Sequence, residues 1–187
     1  MPSRKRRTPS RLRQHGLAPD PRNIILAGFM GSGKSTVGRT LARSLGWGFV
    51  DTDQLIEAEA ACPVAEIFEK KGEAIFRDLE TRIAGRIGAM RHCVIATGGG
   101  FMIREENRKA AFDAGRAIFL MASAEQIWHR IKHSGRRPLL RSEDPMARIR
   151  ELLSEREEAY NAIPDRVSTD RRTPYSIADE ILRKLSG

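Results

Sequence analysis

The chain has 187 residues, 40% of them hydrophobic and 30% charged, with a formal net charge of +9. This length favours one domain with a substantial core. The composition excludes a membrane protein, because no apolar run approaches the ~18 residues of a span. It also excludes a disulfide framework, because Cys62 and Cys93 are the two cysteines and show no metal-ligand spacing.

The charge is concentrated at the start. Arg4, Lys5, Arg6, Arg7, Arg11 and Arg13 face no acid before Asp20, which leaves +3 on the rest. Residues 1–22 contain four prolines and lack apolar periodicity, so they read as a tail outside the fold. Three roles fit such a tail: a solvated extension, an arm for polyanions, or an organelle transit peptide. It lacks the apolar middle of a secretory signal.

The body alternates strands and helices. Asn23 to Ala27 is a short apolar strand. A helix runs from Lys34 to Leu45, with Val37, Leu41 and Leu45 on one face and Gly46 as its stop. Gly48 to Val50 is a second strand ending at Asp51-Thr-Asp53. Helices follow over Gln54 to Ala61, Val64 to Lys71 and Glu73 to Met90. Cys93 to Thr97 is a third strand running into Gly98-Gly99-Gly100, and Arg116 to Met121 is a fourth. Ser123 and Gln126 form a capping box for a helix through Lys132. Residues 134–145 are polar and Arg-rich and read as a loop. Pro145 to Asn161 is a charged helix, Arg166 to Thr169 a fifth strand, and Tyr175 to Leu185 a closing helix. This order predicts a three-layer α/β domain with a parallel sheet.

Between the first strand and first helix lies Gly28-Phe-Met-Gly-Ser-Gly-Lys-Ser35, a match to G-x-x-x-x-G-K-[ST]. Glycines let the backbone N–H groups of Gly31, Ser32, Gly33 and their neighbours through Thr36 converge on phosphate oxygens. The helix N-terminus adds its positive dipole end. Lys34 supplies an ammonium between the β- and γ-phosphates, and Ser35 offers a hydroxyl to Mg²⁺. The chain therefore reads as a binder of a nucleoside triphosphate. A GTPase is excluded, because neither N-K-x-D nor D-x-x-G occurs.

The combination of segments resembles the shikimate kinase family. Gly28 to Arg39 looks like the family's opening. Asp51-Thr-Asp53 with Ile56-Glu57, Gly72-Glu73 with Phe76-Arg77 and Glu80, Thr97 to Gly100, and Arg137-Pro-Leu-Leu140 follow in order. Arg156 with Tyr160 and Arg172 with Pro174 complete it, so the resemblance spans about residues 22–187. It implies a P-loop fold of the nucleoside-monophosphate-kinase type, with five parallel strands in the order 2-3-1-4-5 and a lid over 134–145. The implied domain is 23–187.

The implied reaction moves the γ-phosphate of ATP to the 3-hydroxyl of shikimate, with one Mg²⁺, in aromatic amino acid biosynthesis. The resemblance implies that Arg77, Arg156 and Gly99 within Gly98–Gly100 take the substrate, with Asp53 accepting its reacting hydroxyls as base or orienter. Glu80 shares a helix face with Arg77 and is placed to orient it. Asp51 is placed to reach Mg²⁺ through water; capping of the next helix is the plainer alternative for either aspartate. Arg137 is the lid arginine, and Arg130 and Arg172 are implied to flank the adenine. A cytoplasmic monomer without membrane or nucleic-acid partners is expected. A gluconate-type kinase, or a nucleotide-binding regulator with a basic arm, are the competing readings.

Overall fold

Every residue of the strand β1 (Asn23–Ala27) is buried, because this strand is central and covered on both faces. The computed structural model describes residues 22–132 and 143–186. The basic tail and Arg137, the expected lid arginine, thus lie outside the described residues, as does most of the segment expected to form a lid.

The further elements are α1 (Lys34–Leu45), β2 (Gly48–Asp51), α2 (Thr52–Ala60), α3 (Val64–Ile87), β3 (Cys93–Ala96), α4 (Glu105–Ala114) and β4 (Arg116–Met121). After them come α5 (Ala124–Ile131), α6 (Pro145–Glu155), α7 (Glu157–Asn161), β5 (Asp165–Ser168) and α8 (Pro174–Ser186). The strands form one parallel sheet in the order β2-β3-β1-β4-β5, the predicted topology. Alternation along β1 separates two cores. Ile25 and Ala27 pack on one face with Ile56, Ile67, Phe76 and Ile83 of α2 and α3. Ile24 and Leu26 pack on the other with Val37 and Leu41 of α1 and Ile177 and Ile181 of α8. A third cluster joins Phe29 to Ile127 of α5 and Ile149 and Leu152 of α6.

Three departures from the sequence reading have physical reasons. The helix α4 was not foreseen: its buried residues are Asn107, Ala111 and Ala114, so it carries no large apolar stripe. The two helices expected around Gly72 form one element with a kink there, where φ is 81° and ψ 168°. The single helix expected over 145–161 breaks at Arg156, whose φ of −105° and ψ of 1° leave the helical region. Both irregularities adjoin charged residues of the network behind the cleft described next.

Candidate active site

The cleft opens at the carboxyl ends of β1, β2 and β3, where ligands enter open α/β sheets. It has a volume of about 430 Å³ and is lined by Gly31, Gly33, Lys34, Ser35, Thr36, Asp51, Asp53, Gly99 and Arg130, among others. Nine residues singled out in the sequence are therefore brought together.

The phosphate loop owes its shape to glycine. Gly31 (φ 78°) and Gly33 (φ 96°) occupy left-handed backbone that other residues rarely adopt. A Cβ on Gly31 would sit 2.7 Å from Ile131, so the loop also packs against α5. Ser32 is fully buried behind the loop, its N–H donating to Phe29 O at 3.1 Å. The Lys34 ammonium donates to the carbonyls of Gly28 at 2.8 Å and Phe29 at 2.9 Å. Arg130 ties the loop to the far edge of the sheet, donating to Gly31 O at 3.1 Å, Thr169 Oγ1 at 3.1 Å and Thr169 O at 2.7 Å.

Asp51 caps the next helix and also reaches Ser35. Its Oδ1 accepts from the Asp53 N–H at 3.1 Å and caps α2, while its Oδ2 accepts from Ser35 Oγ at 2.7 Å. A hydroxyl and a carboxylate side by side are the hard oxygen donors that suit Mg²⁺, which keeps much of its water. Among the described residues, no three His, Cys, Asp or Glu gather into a metal cage.

Behind the cleft lies a buried charge network. Arg77, Glu80 and Arg156 are 8%, 0% and 3% exposed. Arg77 donates to Glu80 Oε2 at 2.6 Å and to Glu73 Oε1 at 2.6 Å. The kink at Gly72 precedes this helical stretch. Burial drives the Glu80 carboxyl up to about 7, against the opposing pull of Arg77. Three glycines let these groups approach. A Cβ on Gly98 would lie 2.6 Å from Asp53 Oδ1 and 2.7 Å from Glu80 Oε1, and one on Gly100 would lie 2.2 Å from Arg77 Nη1. The Gly98 N–H donates to Thr52 Oγ1 at 2.9 Å. Arg156 donates to Gly99 O at 3.2 Å and rests over the Phe29 ring, yet its buried Nε has no hydrogen-bond partner among the described residues.

A family model for shikimate kinase matches residues 30–186. The chain belongs to the shikimate kinase family. A shikimate kinase of Symbiobacterium thermophilum is 46% identical over 166 residues, which is 87% of this chain and 95% of that one. A solved shikimate kinase of Acinetobacter baumannii, in complex with shikimate, overlays with a TM-score of 0.84 at 35% identity, covering 87% of this chain and 92% of that one. A gluconokinase of Sinorhizobium meliloti overlays at only 0.55 and 18% identity, over 89% of this chain and 92% of that one, a likeness of fold alone. Shikimate kinase membership thus favours the first reading of the sequence over its gluconate-type rival.

Arg172 does not line the cleft: it donates to Glu180 and to the carbonyls of Ser168 (3.1 Å) and Ser176 (2.8 Å), at the corner between β5 and α8. Three contacts went unread in the sequence: Glu73 on Arg77, Thr52 on Gly98, and Tyr160 Oη donating to Gly99 O at 2.7 Å. The last two join residues 46 and 61 positions apart, beyond the reach of any local pattern.

Proposed function

We propose that this chain transfers the γ-phosphate of ATP to the 3-hydroxyl of shikimate, giving shikimate 3-phosphate and ADP, and that the residues named above divide that work. The reading rests chiefly on one observation: two buried guanidiniums, Arg77 and Arg156, flank a glycine turn at the edge of a phosphate-loop cleft. A planar guanidinium matches a carboxylate in bidentate fashion, and a buried one favours an anionic ligand strongly.

In this reading the N–H groups of residues 31–36 hold the β-phosphate. Lys34 exchanges its two loop carbonyls for phosphate oxygens and stabilises charge on the transferring group. Ser35 and, through water, Asp51 hold Mg²⁺. When bound, the ion would neutralise negative charge that develops on the phosphates. Arg77, Arg156 and the Gly98–Gly100 turn take the substrate carboxylate. Asp53 accepts from the reacting hydroxyl and either removes its proton or orients it; phosphoryl transfer is served by position alone to a large degree. Arg130, on the cleft wall, and Arg172 flank the adenine in this reading. Arg137 belongs to the lid in this reading and acts on the phosphates from there.

In this reading the chain acts as a monomer. Two free thiols and the need for ATP support a reducing, ATP-supplied compartment such as the cytoplasm. No helix among the described residues is long and apolar enough to cross a membrane.

The test is ADP release from Mg²⁺-ATP with shikimate, with D-gluconate, and with neither. Release that requires shikimate and stops on chelation of Mg²⁺ is the expected result. ATP binding without shikimate-dependent release would overturn the reading.

A further inference from the structure

The carbonyl of Gly99 receives two side chains from a single helical turn. Tyr160 Oη donates to it at 2.7 Å and Arg156 Nη1 at 3.2 Å. A carbonyl oxygen has two lone pairs, so both donors fit. The backbone repeats the link, because the Tyr160 N–H donates to Arg156 O at 3.0 Å. Tyr160 is itself rigid. It is 3% exposed, and its ring stacks on Phe119 of β4 with centroids 4.5 Å apart and planes 16° off parallel. Burial pushes the phenol up to about 12, so the group stays protonated and donating throughout the physiological range.

What it holds is the part of the site with the least intrinsic shape. A peptide between two glycines has no Cβ on either side to resist rotation. Because the peptide is planar and trans, the Gly100 N–H points opposite to the Gly99 carbonyl. A donor that pins the carbonyl therefore aims the N–H as well. It also fixes the acceptor on which the Arg156 guanidinium rests, and Arg156 stands at a helix break that does not hold it by itself.

We propose that Tyr160 is a positioning residue for the phosphate acceptor: its hydroxyl pins the Gly99–Gly100 peptide and, through the shared carbonyl, the guanidinium of Arg156. The proposal rests on the reading of this pocket as the acceptor site. It makes the hydroxyl, not the ring, the functional part.

Steady-state kinetics on the full chain separate these parts. Tyr160→Phe keeps the ring stack and loses one hydrogen bond; the shikimate KM should rise about tenfold, with kcat and the ATP KM within about twofold. Phe119→Leu keeps the hydroxyl and loosens the stack; it should lower Tm and leave the shikimate KM within about twofold. Tyr160→Phe combined with Arg156→Lys should raise KM by less than the product of the two single effects, because both act on one carbonyl. An unchanged shikimate KM in Tyr160→Phe, an equal rise in Phe119→Leu, or full additivity in the double variant would each overturn the proposal. Wild-type chain without shikimate-dependent ADP release would instead fail the kinase reading, and the proposal with it.

Discussion

The phosphate loop occupies one stretch, Gly28 to Thr36, between β1 and α1. The proposed acceptor side draws Asp53, Arg77, Gly99, and Arg156 with Tyr160 from four separate places in the chain. The first offers mostly backbone N–H groups, and glycine conformations give it its form. The second includes the charges of Arg77 and Arg156, which are nearly buried and are held by hydrogen bonds. A local motif can thus be carried by many proteins, whereas the proposed reading assigns the choice of acceptor to the long-range charge network.

The contrast is sharpest if each side is broken alone. Lys34→Ala removes the loop's mobile cation. Turnover should fall about 100-fold or more, by analogy with lost transition-state donors, while the shikimate KM changes little. A comparable rise in shikimate KM, read from initial rates, would mean the two sides are not separable.

Arg156→Ala should do the reverse. Losing a charge-assisted contact should raise the shikimate KM about 10- to 50-fold and leave the ATP KM within about twofold. An unchanged shikimate KM would remove Arg156 from the acceptor side.

The third effect is a change of shape in a pH profile. The Glu80 carboxyl is raised from 4.5 to about 7, first by burial, with Arg77 opposing. A carboxyl raised in the folded state binds its proton more tightly there than in the unfolded chain. Its contribution to stability is therefore fully present below pH 4.5 and is lost as pH rises through about 7. Thermal unfolding from pH 4.5 to 8 should show a flatter Tm profile for Glu80→Gln than for wild type. Identical slopes would mean that Glu80 does not carry this titration.

The same contrast governs what could be read from sequence. The loop was legible because its residues are adjacent and each type has one mechanical reason to be there. The sheet order came from the resemblance, and the strands themselves from short apolar runs. Arg77 with Glu80 was legible as a helix-face pair three residues apart. What escaped lacked a local signature. The helix α4 buries Asn107 and alanines in place of leucines. The break at Arg156 interrupts a polar periodicity that reads as continuous. Tyr160 shows its purpose only once β3 has brought Gly99 beside α7. The partners of Arg172, which are Glu180 and two carbonyls beside β5 and α8, carry no local signature either.

The three bonds of Arg130 have a consequence for how the molecule opens. They join Gly31 to Thr169, residues near opposite ends of the described chain. Thr169 is in turn fastened to Met121 of β4 through its N–H and its hydroxyl. Local openings of a protein follow cooperative units, not sequence neighbours. Fraying of the segment before α8 would release Thr169, then Arg130, and then the carbonyl of Gly31. The amide protection of the phosphate loop should thereby depend on the integrity of the C-terminal edge, about 140 residues away in sequence.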